Sequence, residues 1–123
     1  MANMVCTVTE ITFPTVKKIT WAWTSDNAAG TASGATSATF DGQLIALTTI
    51  PGTAGDAPTD NYDITITDAD SHDVLCGAGA NRDTANTEVV AAASMGAVAG
   101  SKLTLNVSNA GNSKKGVVVL WLR

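Results

Sequence analysis

The sequence predicts an all-β protein, an antiparallel β-sandwich or jelly-roll-like barrel of about seven or eight short strands. Three observations carry that expectation. First, two segments alternate cleanly: Tyr62, Ile64 and Ile66 against Asp63, Thr65 and Thr67, and Leu103, Leu105 and Val107 against Thr104, Asn106 and Ser108. A period of two marks a half-buried strand. Second, Gly, Pro and Asn punctuate the chain at short intervals, as turns between short strands require. Third, the composition is 45% hydrophobic but only 5% aromatic and 15% charged, so the apolar content lies in small and β-branched side chains that suit a pleated surface. At 123 residues, one domain spanning 1–123 buries a core without help from disulfides or metal.

In chain order, Val5 to Phe13 is rich in β-branched residues and stops at Pro14, so residues 1–13 read as an edge strand or a partly separate N-terminal arm. Val16 to Thr24 places Ile19, Trp21 and Trp23 on one face, which favours a core role for the tryptophans over a carbohydrate platform. Ser25 to Thr36 has little to bury and reads as a surface loop or mobile tip, or one ordered by a neighbouring subunit. Phe40-Asp41-Gly42 is a hairpin turn or a bulge within one strand that continues through Leu44 to Ile50 and ends at Pro51-Gly52. Thr53 to Thr59 connects.

Pro58 to Asp83 reads as a β-hairpin with a polar turn at Asp68–Asp73, a second short strand at Val74–Cys76 and a glycine-spaced loop. Glu88 to Gly100 fits helix and strand templates alike and is read as a short strand leading into an irregular turn, before the clean strand around Leu103–Val107 and a turn at Asn109–Ser113. The final strand, Val117 to Leu122, is apolar on both faces, so both must be covered. In a chain this small the second cover is expected from another subunit.

Charge and cysteine usage bound the function. A net charge of −4 leaves no extended basic surface for phosphates, which disfavours direct nucleic-acid binding. The paired lysines at 17–18 and 114–115 flank strands and read as guards against edge pairing. Cys6 and Cys76 are an even count that permits one disulfide, but they lack metal-binding spacing and are read first as buried free thiols; His72 is the only histidine, so no zinc site is expected. The N-terminal residues have neither a basic start nor a continuous apolar segment, so no signal peptide is expected, and no run has the length of a membrane span.

Several motifs invite chemistry and each has a plainer explanation. Asp68, Asp70 and Asp73 resemble the start of a calcium loop, but its sixth position is Asp73 where glycine is needed and its twelfth is Gly79 where a bidentate glutamate is needed. A hairpin tip explains the same residues. Gly77 to Asn81 lacks the Gly-Lys-Ser/Thr ending of a phosphate-binding loop. Ser71, His72 and Asp73 are adjacent and cannot form a triad, whose members converge from separate elements. Asp56, Asp60 and Asp63 offer carboxylates for glycoside hydrolysis on proximity alone. Arg82, between Asn81 and Asp83, suits a bidentate contact with a carboxylate, internal or on a partner, with the internal brace favoured. No catalytic residue, cofactor or metal is expected.

A resemblance adds what periodicity does not. The succession TWAWTSD, IPGT, PTDNYDITITD, DVLCGAGANRDTANTE, KLTLNVSNAG and a closing apolar strand with terminal arginine resembles small head structural proteins of tailed bacteriophages. Within that group the chain is most similar to capsid decoration, or cement, proteins, over most of its length from Lys18. The resemblance implies a non-enzymatic virion protein, made in the bacterial host cytoplasm, that docks on the outer capsid surface and stabilises the shell by bridging major capsid protein subunits. It further implies a homo-oligomer, trimer or dimer, with no membrane partner. The alternatives are a tail, neck or head-fibre component, or a carbohydrate-binding β-sandwich module. The expected contact surfaces are Met4–Phe13, Ser25–Thr36 and Gly77–Asp83, with Val5, Val8, Ile11, Phe13, Asn27, Asn81, Arg82, Asp83, Val118, Leu120 and Leu122 as interface candidates.

Overall fold

The computed structural model describes residues 4–91, 93 and 95–123. Nine strands are present among them: β1 (Val5–Thr12), β2 (Lys17–Thr24), β3 (Ala32–Ala35), β4 (Phe40–Pro51), β5 (Asp63–Thr67), β6 (Glu88–Ala91), β7 (Ala97–Ser101), β8 (Thr104–Ser108) and β9 (Lys115–Leu122). They form two antiparallel sheets, a large one in the order β1-β2-β9-β4-β6 with β7 also on β4, and a three-stranded one in the order β3-β8-β5. The protein is therefore an all-β sandwich. No helix among the described residues is long and apolar enough to cross a membrane.

The core lies where the alternating faces meet. Ile19, Trp21 and Trp23 of β2, Leu44 and Leu47 of β4, and Val118, Leu120 and Leu122 of β9 project onto Ile64, Ile66, Leu105 and Val107 of the small sheet, all essentially excluded from water. Trp21 also ties the sheets together, its indole N–H donating to the Gly34 carbonyl of β3 at 3.0 Å. Trp23 packs on Tyr62 with ring centroids 5.8 Å apart. Its ring lies over Gly116, where a Cβ would sit 2.5 Å from the indole, so only glycine fits β9 at that point. A glycan platform on Trp21 or Trp23 has no exposed ring to use.

Several expectations change. Ala32–Ala35 is a strand, and the segment before it is ordered from within: Ser25 is fully buried, its hydroxyl donating to the Gly111 carbonyl at 2.6 Å and accepting from the Lys114 amide at 2.8 Å. The Asp26 carboxylate accepts the amides of Ala28, Ala29 and Gly30 and the Thr31 hydroxyl. Those contacts, the Ala29 and Ala28 amides foremost, hold its pKa below the ordinary carboxylate value. Asp41-Gly42 is the bulge of one long strand, with Gly42 at φ 137° and the register on β7 shifting there. The paired lysines guard no edge: Lys17 and Lys18 lie on β2, between β1 and β9, while Lys114 and Lys115 enter β9, the centre of the large sheet.

The expected hairpin at Pro58–Asp83 has one regular arm. β5 pairs along its length with β8, and Val74–Cys76 is not a strand. The reason is local. The Asp73 carboxylate accepts the amides of Ile66, Leu75 and Gly77, folding residues 74–79 into consecutive turns while Val74 and Leu75 drop into the core. The return arm touches the outer edge of β5 through Val74 N–H to Ile66 O at 2.8 Å, Ile64 N–H to Gly79 O at 2.9 Å and Arg82 N–H to Tyr62 O at 2.7 Å. β5 is thus sealed on both sides.

Candidate functional site: the outer face of the large sheet

The β9 register decides which apolar side chains face away from the core. Because Val118, Leu120 and Leu122 oppose Trp21, Ile19 and Lys17 across β2 and point into the core, they are not interface residues. The intervening Val117, Val119 and Trp121 face outward. They are flanked by Thr7, Thr9 and Ile11 of β1, Thr20 and Ala22 of β2, and Ala46, Thr48 and Ile50 of β4, with Val89 of β6 continuing the Thr48–Val119 row. Val89 is 69% exposed and Val5, at the β1 end, 55%. A shallow hollow in this face is lined by Val5, Thr7, Ala22, Ile50 and Val117.

Its electrostatics are as one-sided as its polarity. None of the 11 acidic residues occupies a position in these rows; the nearest by sequence, Glu10 and Glu88, pair with Ile19 and Thr49 and so lie on the inward-facing parity. The charges in the rows are Lys18 and Lys115, at opposite ends. Lys18 lays its ammonium 5.1 Å from the Trp121 ring centroid, a cation–π contact that also shields the indole. The result is a broad uncharged surface of Val, Ile, Ala and Thr with cationic ends, on a chain whose net charge is −4.

The other candidates divide. Val5, Ile11 and Phe13 are exposed, Ile11 and Phe13 at the end of β1 remote from Val5. Val8 points inward and is half-buried against the core. Asn27 and Asn81 are exposed, and their loops meet the same turn at Asn109–Lys114. The Asp63 carboxylate bridges the Asn81 amide at 2.9 Å and the Asn109 side chain at 2.6 Å, while Ser113 N–H donates to Asp26 O at 3.0 Å. Arg82 is an internal brace: its guanidinium lies 3.5 Å from Glu88 and its Nε donates to Ala80 O. Asp83 is likewise engaged, holding the Asn86 side chain and the Ala85 amide, which lower its pKa.

The polar motifs are spent on the fold. Asp68 accepts the amides of Asp70 and His72, and Asp73 those of Ile66, Leu75 and Gly77, so both carboxylates serve as turn anchors. Cys6 is half-buried, which raises its pKa, whereas Cys76 is exposed and both thiols are free, against the expectation of two buried thiols. Sequence reasoning misses Val89, Ile50 and the outward parity of β9. The available signal is the run of Thr, Ala and β-branched apolar residues at alternate positions of β1, β2, β4 and β9, with no carboxylate among them. No protein-family model and no curated protein matches the chain.

Proposed function

We propose that the protein is a non-enzymatic structural component of a tailed-phage virion that docks on the outer capsid surface and stabilises the shell by bridging major capsid protein subunits. The observation that carries this reading is the outer face of the large sheet: exposed Val5, Ile50 and Val89 beside outward Thr rows, with no carboxylate among them. An exposed apolar surface of this kind is the type that binding to another molecule covers. A rigid two-sheet platform presenting such a face suits permanent docking. Each copy seated across two capsid subunits adds contacts that must break together before the subunits part. Of the acidic residues that resemble catalytic or calcium-binding groups, Asp68 and Asp73 anchor turns and Asp63 ties two loops together, which supports a structural task for those three.

The test is rebinding. Purified protein is expected to co-sediment with heads stripped of it and raise their thermal resistance, and Val89→Lys with Ile50→Lys is expected to abolish co-sedimentation while leaving the circular dichroism spectrum unchanged. Protein recovered on separated tails and never on heads would replace this reading with a tail or neck role.

A further inference from the structure

The strand edges of the sandwich are not equally protected. On the small sheet, β5 is sealed by its return arm, and β3 is only 4 residues long, with Gly34 tucked beneath Cys6. On the large sheet, β6 also has 4 residues and β7 has 5. Short or covered edges are how natural sheets avoid pairing with other chains. β1 differs: it has 8 residues, contains neither Pro nor Lys, and among the described residues its second edge receives no backbone hydrogen bond.

The hairpin geometry shows which groups are free. Phe13 N–H donates to Val16 O at 2.8 Å, making that pair a hydrogen-bonded one. Antiparallel pairs alternate, so Ile11, Thr9, Thr7 and Val5 bond to β2, while the amides and carbonyls of Cys6, Val8, Glu10 and Thr12 point away from it. Glu10, the only charged residue of β1, is already held by its own chain. Its carboxylate accepts the amides of Ser37 and Ala38 at 2.9 and 3.0 Å.

We propose that β1 is a dimerisation edge, pairing antiparallel with β1 of a second copy about a two-fold axis at Val8. The argument for a second copy is self-complementarity. Centred on Val8, the strand sets Val5 against Ile11 and Thr7 against Thr9 on the outward face, both favourable cross-strand pairs. The same register opposes Val8 to Val8 and Cys6 to Glu10, the residues whose backbone groups are free, and places no charge against its like. It also joins two outward sheet faces side by side. This inference rests on the expectation of a homo-oligomer but not on shell docking, since it is read on purified protein without capsids.

The test uses Thr7 and Thr9, which point away from the core and face each other across the axis in a non-hydrogen-bonded pair, where side chains approach most closely. Sedimentation equilibrium over about 1 to 200 μM, the range of weak specific association, is expected to show a monomer–dimer equilibrium for the native chain. T7K/T9K places lysine opposite lysine twice and is expected to raise the dimer Kd about tenfold or more. T7K/T9E places lysine opposite glutamate twice and is expected to restore dimerisation, which also controls for folding. A native chain that stays monomeric throughout, a dimer indifferent to T7K/T9K, or one weakened equally by both variants each overturns the proposal; the last points instead to an extended segment of another register.

Discussion

β1 and β5 are both strands at the margin of their sheets, and both are rich in β-branched residues, yet one edge is closed and the other open. At β5 the chain turns back and lays residues 73–82 along the strand, with Asp73 gathering three amides and Gly79 pressed against Ile64. At β1, among the described residues, the anchors beyond β2 come from side chains, Glu10 on the Ser37 and Ala38 amides and the half-buried Cys6 and Val8. β-Branched content thus favours a strand but does not specify its neighbour. The difference lies in the segment C-terminal to each strand: residues 68–82, rich in turn-forming Asp and Gly, after β5, and a tight Pro14-Thr15 corner after β1 that leaves nothing to fold over it.

The sharpest way to break this contrast is at Gly79. A Cβ there would collide with the Ile64 carbonyl oxygen, a backbone atom with no freedom to yield. Gly79→Ala is therefore expected to lever the return arm off β5, breaking the Ile64 N–H to Gly79 O bond and unsettling Val74 and Leu75 beneath it. A loss of about 3 kcal/mol in urea unfolding is expected, the size seen when a tightly packed site is overfilled. An unchanged midpoint would mean that the arm is not a structural part of the β5 edge.

The sealed edge also carries a pH signature. Tyr62 begins this strand region, bridged to Arg82, and burial raises its pKa to about 12 from the ordinary 10.0. Because the folded pKa lies above the unfolded one, the neutral phenol favours the fold. That contribution is complete below about pH 10 and is lost as pH rises from about 10 toward about 12, amounting to about 2 kcal/mol. Tyr62→Phe is expected to flatten the decline in that window, read by thermal unfolding at stepped alkaline pH; a decline equally steep in the variant would assign it to other groups.

The legibility of the fold in the sequence divides along the same line. Tyr62–Thr67 and Leu103–Ser108 are readable because each has one polar face, so parity and burial coincide. Val117–Leu122 is readable as a strand needing cover on both faces. Its parity is not: with both faces apolar, only the β2 and β4 register determines that Val118, Leu120 and Leu122 go inward and Val117, Val119 and Trp121 outward. Ala32–Ala35 is hidden because Ala-Ser-Gly-Ala carries no pattern, and its strand form is imposed by pairing with β8. Val74–Cys76 has strand-like residues, but the preceding Asp73 offers nearby amides a competing acceptor, and the turn wins. The outer face of the large sheet is hidden for the same reason as the β9 parity, since it depends on the parity of five strands at once.

The smallest expected effect lies at the open edge. Glu10→Ala removes the acceptor for the Ser37 and Ala38 amides, but both residues are exposed and water replaces the carboxylate there, so the loss is expected to stay at or below about 1 kcal/mol. The informative reading is local: hydrogen exchange at Ser37 and Ala38 should quicken, whereas exchange along β2, which pairs with β1 through its full length, should not. If β2 also loses protection, Glu10 is holding the whole first hairpin against the small sheet. The β1 edge would then depend on a distant loop for its position, as β5 depends on its return arm, and the two margins would differ in the length of the tether more than in kind.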